Sequence, residues 1–311
     1  MRGGTAYTDF RGSLIMTHPL LVVSLAALLA AASSIAAQPQ DQSNRTRDIY
    51  VSVLDSNGAP ATGLTADDFA VREDGTLREV LKAGPATAPL TISVLVDDSQ
   101  AATPVIQELR RGLTAFVEQL QGKAEIALAT FGERPTSVVD YTTSTEVLKR
   151  GVTKIFSRQG SGAYLLDAIV EVSRGLQKRE TAVRPVIIAL VIDEGIEFSN
   201  VYHQPVLQEL RKSGATFHAL AIGTPSGSQT DEMRNRNLVL AEGTSDTGGR
   251  RDQILAESAI PERLKQLGTE LLNQYVVTYG RPESLIPPEK VEVTVTRPGL
   301  TVRASKVAPA R

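Results

Sequence analysis

The stretch "TISVLVDDSQAATPV", Thr91 to Val105, decides the fold. Its first six residues are almost continuously apolar and β-branched. Such a run suits a strand buried on both faces, the kind found in parallel sheets covered by helices. It ends abruptly in Asp97, Asp98 and Ser99. Pro104 then opens a helical pattern, with Val105, Leu109, Leu113, Phe116, Val117 and Leu120 on one face. A buried strand, an acidic turn and an amphipathic helix make the first unit of an alternating strand–helix domain.

The same grammar repeats downstream. "AEIALATFG", "RPVIIALVIDEG", "ATFHALAIG" and "YVVTYG" read as strands. Helical patterns lie between them: "STEVLKRGVTKI" behind an N-cap, "GAYLLDAIVEVSRGLQ", and "HQPVLQELRKSG" stopped by Gly214. "RDQILAESAIPERLKQLGTELLNQ" reads as helix throughout, with a break at Pro261. Five strands interleaved with helices predict a three-layer α/β domain over residues 90–280, built on a doubly wound, mostly parallel, Rossmann-like sheet. Such sheets place their site at the carboxyl ends of the strands. That rule selects the loops after Val96, after Phe131 or Ile155, and after Ile192.

Both flanks of this domain are β-like. Residues 48–84 hold "YVSVLD", ended by the turn signal "SNG", and "FAVREDGTLREVLK", a hairpin about Asp74-Gly75. Residues 289–306 hold "KVEVTVTRPG" and "LTVRASK" around a Pro-Gly turn. The two flanks are expected to pair into a small β module. Residues 38–47, "QPQDQSNRTR", read as a flexible leader. Before them, "HPLLVVSLAALLAAASSIAAQPQ" reads as a secretory signal within residues 1–37, cleaved near Ala36 or Ala37, with Met16 as the alternative start. Export to the periplasm or the extracellular space follows, with no membrane span left after cleavage. Retention of the segment as an anchor is the alternative.

Composition excludes several functions. The 311 residues are 41% hydrophobic and 22% charged, a globular mixture, and the formal net charge of -2 argues against a nucleic-acid partner. With no Cys, disulfides, thiolate metal sites and cysteine nucleophiles are ruled out. Three histidines leave little for acid–base catalysis; His218 reads as a packed strand residue and His203 as a solvent-facing one. "DDSQAAT" has no glycines for a dinucleotide, and its acids would repel a pyrophosphate. No P-loop or nucleophile elbow is present.

The strand-end loops carry oxygen donors. The first offers Asp97, Asp98 and Ser99; "SRQGSGAYLLDA" offers Ser161; "LVIDEGIEFSN" offers Asp193 and Glu194. Carboxylates and hydroxyls without His or Cys suit a hard cation such as Mg2+. Equally, Asp97 and Ser99 can simply cap the following helix.

These residues, with "VSVLDSNGAPATGLTADDFAVREDG" upstream and "DTGGR", "LLNQYVVTYGRPE" and "VEVTVTRPGLTVRASK" downstream, resemble the von Willebrand factor type A family, most of all its bacterial exported subgroup. The resemblance implies a metal-ion-dependent adhesion site: an Asp-x-Ser-x-Ser run, a Thr on a second loop and an Asp on a third. Asp97 and Ser99 match the first two positions. Ala101 falls on the third, Ala163 on the Thr position, and Glu194 on the last; Ser161 is a further candidate. The resemblance thus implies a degenerate site of Asp97, Ser99 and Glu194, holding Mg2+ (or Mn2+ or Ca2+) weakly or not at all. It implies a non-enzymatic module that binds a protein partner through the strand-end face. A scaffold with a decayed site and a binding surface elsewhere is the alternative; a hydrolase is less favoured.

Overall fold

A computed structural model describes residues 46–179, 184–225, 230–282 and 286–307. The expected signal segment lies outside the described residues. In chain order the strands are β1 (Thr46–Leu54), β2 (Phe69–Glu73), β3 (Thr76–Arg78), β4 (Val80–Pro85), β5 (Leu90–Val96), β6 (Ala124–Thr130), β7 (Thr136–Thr142), β8 (Arg184–Ile192), β9 (Thr216–Ile222), β10 (Arg251–Ile254), β11 (Tyr275–Gly280), β12 (Val291–Val295) and β13 (Thr301–Ala304). The α-helices are α1 (Ile106–Gln119), α2 (Thr145–Val152), α3 (Leu165–Gln177), α4 (His203–Ser213), α5 (Asp231–Leu238), α6 (Thr244–Thr247) and α7 (Ile260–Leu272).

The main sheet has the order β10-β9-β8-β5-β6-β7. All its pairings are parallel except that of β7 with β6. β5 lies at its centre and is buried along its whole length, as its uninterrupted apolar run requires. One face packs under α1, α2 and α7 through Leu109, Leu113, Leu148, Leu264 and Leu267. The other packs under α3 and α4 through Leu166, Ile169, Val206 and Leu210. The chain leaves β5 for β6 on one side and later returns to β8 on the other. The crevice between β5 and β8 is therefore the topological switch point, where such sheets hold their sites.

The two flanks do pair. β13-β1-β11-β4 form one antiparallel sheet and β12-β2-β3 another, around a core that includes Val51, Val53, Phe69, Val71 and Val277. Asp74 and Gly75 both take positive φ, at 46° and 81°, as a tight two-residue hairpin demands. Gly214 ends α4 in the left-handed conformation.

Two expectations need correction, and one strand is additional. "YVVTYG" does not close the main sheet. As β11 it pairs with β1 and β4, and its alternating burial fits a sheet with two unlike faces. "RDQI" is strand β10 rather than helix, and Pro261 sits in the first turn of α7, where its missing N–H matters least. β7 was not anticipated, because "TSVVDYT" is polar and lies at the sheet edge.

The two sheet systems meet at a charged joint. Arg303 of β13 donates to Glu270 of α7 at 2.6 Å, and Arg250 approaches the same carboxylate at 3.4 Å. His218 is wholly buried beside them, and desolvation pushes its pKa down to about 4, so it is neutral at physiological pH. Glu270→Gln leaves two arginines without their shared counter-charge. A stability loss of about 2–3 kcal/mol is expected in urea unfolding; an unchanged midpoint would show that the joint contributes nothing.

Candidate functional site

At the switch point three loops close on Asp97. Its Oδ1 accepts the N–H of Ser99 at 2.9 Å, and its Oδ2 accepts the N–H of Ile192, at the end of β8, at 3.1 Å. One carboxylate thus ties the ends of the two central strands together. Gly195 passes directly over it: a Cβ there would lie 3.6 Å from Asp97 Oδ2 and 3.5 Å from the Ala101 methyl. Asp97 is fully buried, and desolvation raises its carboxyl pKa against the bonds from Ser99 and Ile192.

Asp98 points the other way. Its Oδ1 accepts from Gly132 N at 2.6 Å and its Oδ2 from Arg158 Nε at 2.9 Å, so it fastens the second loop to the first. A side chain at position 132 would collide with this carboxylate, which accounts for glycine there. Ser161 Oγ donates to Arg158 O within its own loop. Ser99 Oγ is buried and has no well-directed partner.

The third loop is arranged differently from its sequence reading. Glu194 turns out toward β9, where it accepts from Thr224 N at 2.6 Å and its carboxylate packs over Gly223. It does not join Asp97. Asp193 is held on the β10 side by Gln253 at 2.9 Å and by the buried Arg236 at 3.5 Å. A second buried acid of this loop, Glu197, lies near enough to Asp97 for their charges to repel. It is 1% exposed, its Oε1 accepts from Ser199 N, and its Oε2 has no partner.

Glu197 is drawn inward by a single β-bridge between the second and third loops. Ala163 N donates to Ile196 O at 2.8 Å, and Phe198 N donates to Ala163 O at 2.7 Å. The bridge makes residues 196–199 an extended segment, whose side chains alternate in direction. Glu197 and Ser199 point in; Ile196 and Phe198, 56% and 49% exposed, point out. The usual polarity is inverted. Gly162 permits it, because a Cβ there would sit 2.2 Å from the Phe198 ring. Phe198 then lies 6.0 Å from the ring of Tyr164.

Burial pushes the Glu197 carboxyl up to about 7, helped by the nearby Asp97 charge and opposed by Ser199 and Arg236. Arg236 itself is fully buried and donates to the carbonyls of Gly195 and Asp193, which fixes the course of the third loop. Neither Glu197 nor Arg236 was found by reading the sequence. The available signal was the alternation Ile-Glu-Phe-Ser itself, which shows an extended segment but not which side faces in.

A hard cation needs about six oxygen ligands in near-octahedral array. Here Asp97 accepts two backbone N–H groups, Ala101 and Ala163 offer methyls, Ser161 bonds its own loop, and Glu194 is turned away. Among the described residues no three acidic or histidine side chains gather to hold a metal ion. This donor set does not fit the cation site of the pattern set out above.

Comparison with known proteins places the chain. A family model for the von Willebrand factor type A domain matches residues 91–247. The chain belongs to the von Willebrand factor type A family. The proximal thread matrix protein 1 of the mussel byssus, solved with a zinc-occupied adhesion-site motif, shares its fold at a TM-score of 0.50 and 15% identity, over 64% of this chain and 49% of that one. The present chain thus spans about half the length of that protein. A von Willebrand factor type A protein from Catenulispora acidiphila matches at a TM-score of 0.49 and 12% identity, covering 86% of this chain and 74% of the other. The domain of the type V pilus tip protein Mfa5 from Porphyromonas gingivalis matches at 0.44 and 11%, covering 60% and 96%. No curated protein matches the chain. Glu197, a buried acid of the third loop, lies three residues beyond the aligned position Glu194.

The raised Glu197 pKa has a sign. A carboxyl that titrates near 7 when folded, against about 4.5 ordinarily, favours the fold fully below pH 4.5. That contribution is lost as pH rises through 7, on the order of 3 kcal/mol at 1.36 kcal/mol per unit. Glu197→Gln should therefore be more stable than the parent at pH 8 and similar at pH 4.5, measured by denaturant unfolding. Parallel pH profiles for the two proteins would rule out a buried, neutral Glu197.

Proposed function

We propose that this chain is an exported, non-enzymatic module that binds a protein partner through the strand-end face, with weak or no cation dependence. The inverted segment Ile196–Ser199 carries the reading. Exposing two large apolar side chains while burying a carboxyl is unfavourable for an isolated domain, and such exposed apolar surface marks interaction sites. Tyr202, 74% exposed at the entry to α4, and Phe156, 61% exposed in the second loop under the Arg110 guanidinium, are further exposed aromatic side chains on these loops. Aromatic anchors around a buried polar centre suit a protein interface.

The family supports a binding role, and the neighbours named for adhesion-site and pilus-tip proteins are in keeping with it. Export rests on the apolar N-terminal segment of the sequence; no helix among the described residues is long and apolar enough to cross a membrane. The non-enzymatic reading rests on access: Glu197, the acid pushed up to about 7, is 1% exposed, and His218 is wholly buried at the other end of β9, so neither reaches a substrate. A second reading, a scaffold whose surface lies elsewhere, draws on Leu77 and Leu81, both exposed on the terminal β module.

The test is capture from the envelope fraction of the producing cells, with the parent chain and with Phe198→Ala/Tyr202→Ser, each with and without EDTA. The expected result is one set of partners, retained in EDTA and lost in the double variant. Loss in EDTA would restore a metal requirement. Retention by the double variant would move the interface to another surface. Calorimetric titration with Mg2+, Mn2+ and Ca2+ should give no heat from the site.

A further inference from the structure

At the opposite end of the main sheet a cavity of about 720 Å³ lies between the parallel sheet and the terminal β module. This size falls within the usual range for small-molecule sites, about 300–1,000 Å³. One wall is the first half of β1. β11 pairs with Thr46–Val51 of that strand, but β13 pairs only with Val51–Leu54. Past Ala304 the chain swings away, with Lys306 N donating to Asp246 O and Lys306 O accepting from Val291 N. Among the described residues, the stretch Thr46–Tyr50 therefore has a strand on one side only. Its open edge borders the cavity. The apolar lining comes from the partly exposed Pro185, Pro288 and Val307, backed by the buried Val186, Leu210, Ala215 and Val291.

The charge lining is uneven. Glu73 is engaged with Arg78, Arg281 and the Tyr279 hydroxyl, Asp48 with Thr278, and Arg211 with Asp246. Arg184 is different. It is 5% exposed and donates to the carbonyls of Ala86, Ala88 and Leu271 and to Gln274 Oε1. Among the described residues no carboxylate lies within ion-pair distance of it, so its charge is solvated by dipoles but not neutralised. Its guanidinium lies 5.2 Å from the ring centroid of Tyr50. Tyr50 is half-buried, and its hydroxyl has no hydrogen-bond partner among the described residues. Burial also raises its pKa, which keeps it a donor.

We propose that this cavity binds an amphipathic organic acid. The anionic head is held at Tyr50 and the open edge of β1, in the field of Arg184, and the hydrocarbon body lies against the partly exposed Pro185, Pro288 and Val307. The inference is independent of the strand-end face, since the two sites occupy opposite ends of the sheet.

The test uses the full chain with decanoate below its micellar concentration, and with decanol as the neutral analogue of equal length, both by calorimetry. Two variants accompany it. Tyr50→Phe keeps the ring over Arg184 and removes only the hydroxyl. Thr216→Trp fills the cavity without removing a side-chain hydrogen bond. Decanoate is expected to bind about tenfold more tightly than decanol, to weaken about tenfold in Tyr50→Phe, and to lose binding in Thr216→Trp. Equal affinity for acid and alcohol would overturn the proposal. So would decanoate binding that survives Thr216→Trp, which marks adventitious surface adsorption, and so would the absence of decanoate binding to the parent chain. An extended peptide that adds to the β1 edge and is not displaced by decanoate would also overturn it, in favour of strand addition.

Discussion

Two backbone hydrogen bonds, between Ala163 and the residues either side of Glu197, set the character of the strand-end face. They force an extended conformation on a loop, and extension fixes which side chains face in. With that register, a carboxyl and a hydroxyl enter the crevice and two large apolar groups face water. A shift of one residue would reverse the arrangement, since strand side chains alternate. Gly162 and Gly195 make the register accessible. The first leaves room for Phe198, and the second lets the loop turn close against Ile192 O, which a Cβ would meet at 3.0 Å.

The interior side of that register explains the chemistry of the site. Asp97 holds the ends of β5 and β8 together through backbone N–H groups, as a structural clamp at the switch point. Ala101 and Ala163 supply no oxygen where the family pattern has hydroxyls. Ala163 joins Glu197 only through the backbone bridge. Where a cation would balance the acids, burial and mutual repulsion favour a proton on Glu197 instead. Arg236 satisfies the carbonyls of Gly195 and Asp193 in the third loop from behind. The outcome is a crevice built for a fixed shape, with an apolar rim.

Much of this fold could be read from the residues, because its signals are local. "TISVLV" could only be a strand covered on both faces. Asp74-Gly75 specified a hairpin, and Gly214 a helix end. The matching of the two flanks followed from their β patterns and from the resemblance to a known subgroup. Reading failed where a segment's state depends on distant partners. "RDQI" carries helical residues but is a strand because β9 offers it an edge. "YVVTYG" is equally suited to either sheet, and only the pairing with β1 decides. At the strand ends, the place of Asp97 was legible because it ends a buried strand, while its role as a clamp for two backbone N–H groups was open as an alternative to metal binding. Glu194 was placed by alignment alone, and the loop's true register depends on a bridge to Ala163, which no local pattern encodes. The open edge of β1 was invisible for the same reason: it arises from where β13 stops.

The bridge itself can be observed by native-state hydrogen exchange of the Ala163 and Phe198 amides. Both N–H groups should be protected to nearly the level of the β5 and β8 amides, because their opening would require the crevice to come apart. Exchange of either amide at the rate of an exposed loop would contradict the fixed register, and with it the inward Glu197 and the outward Phe198.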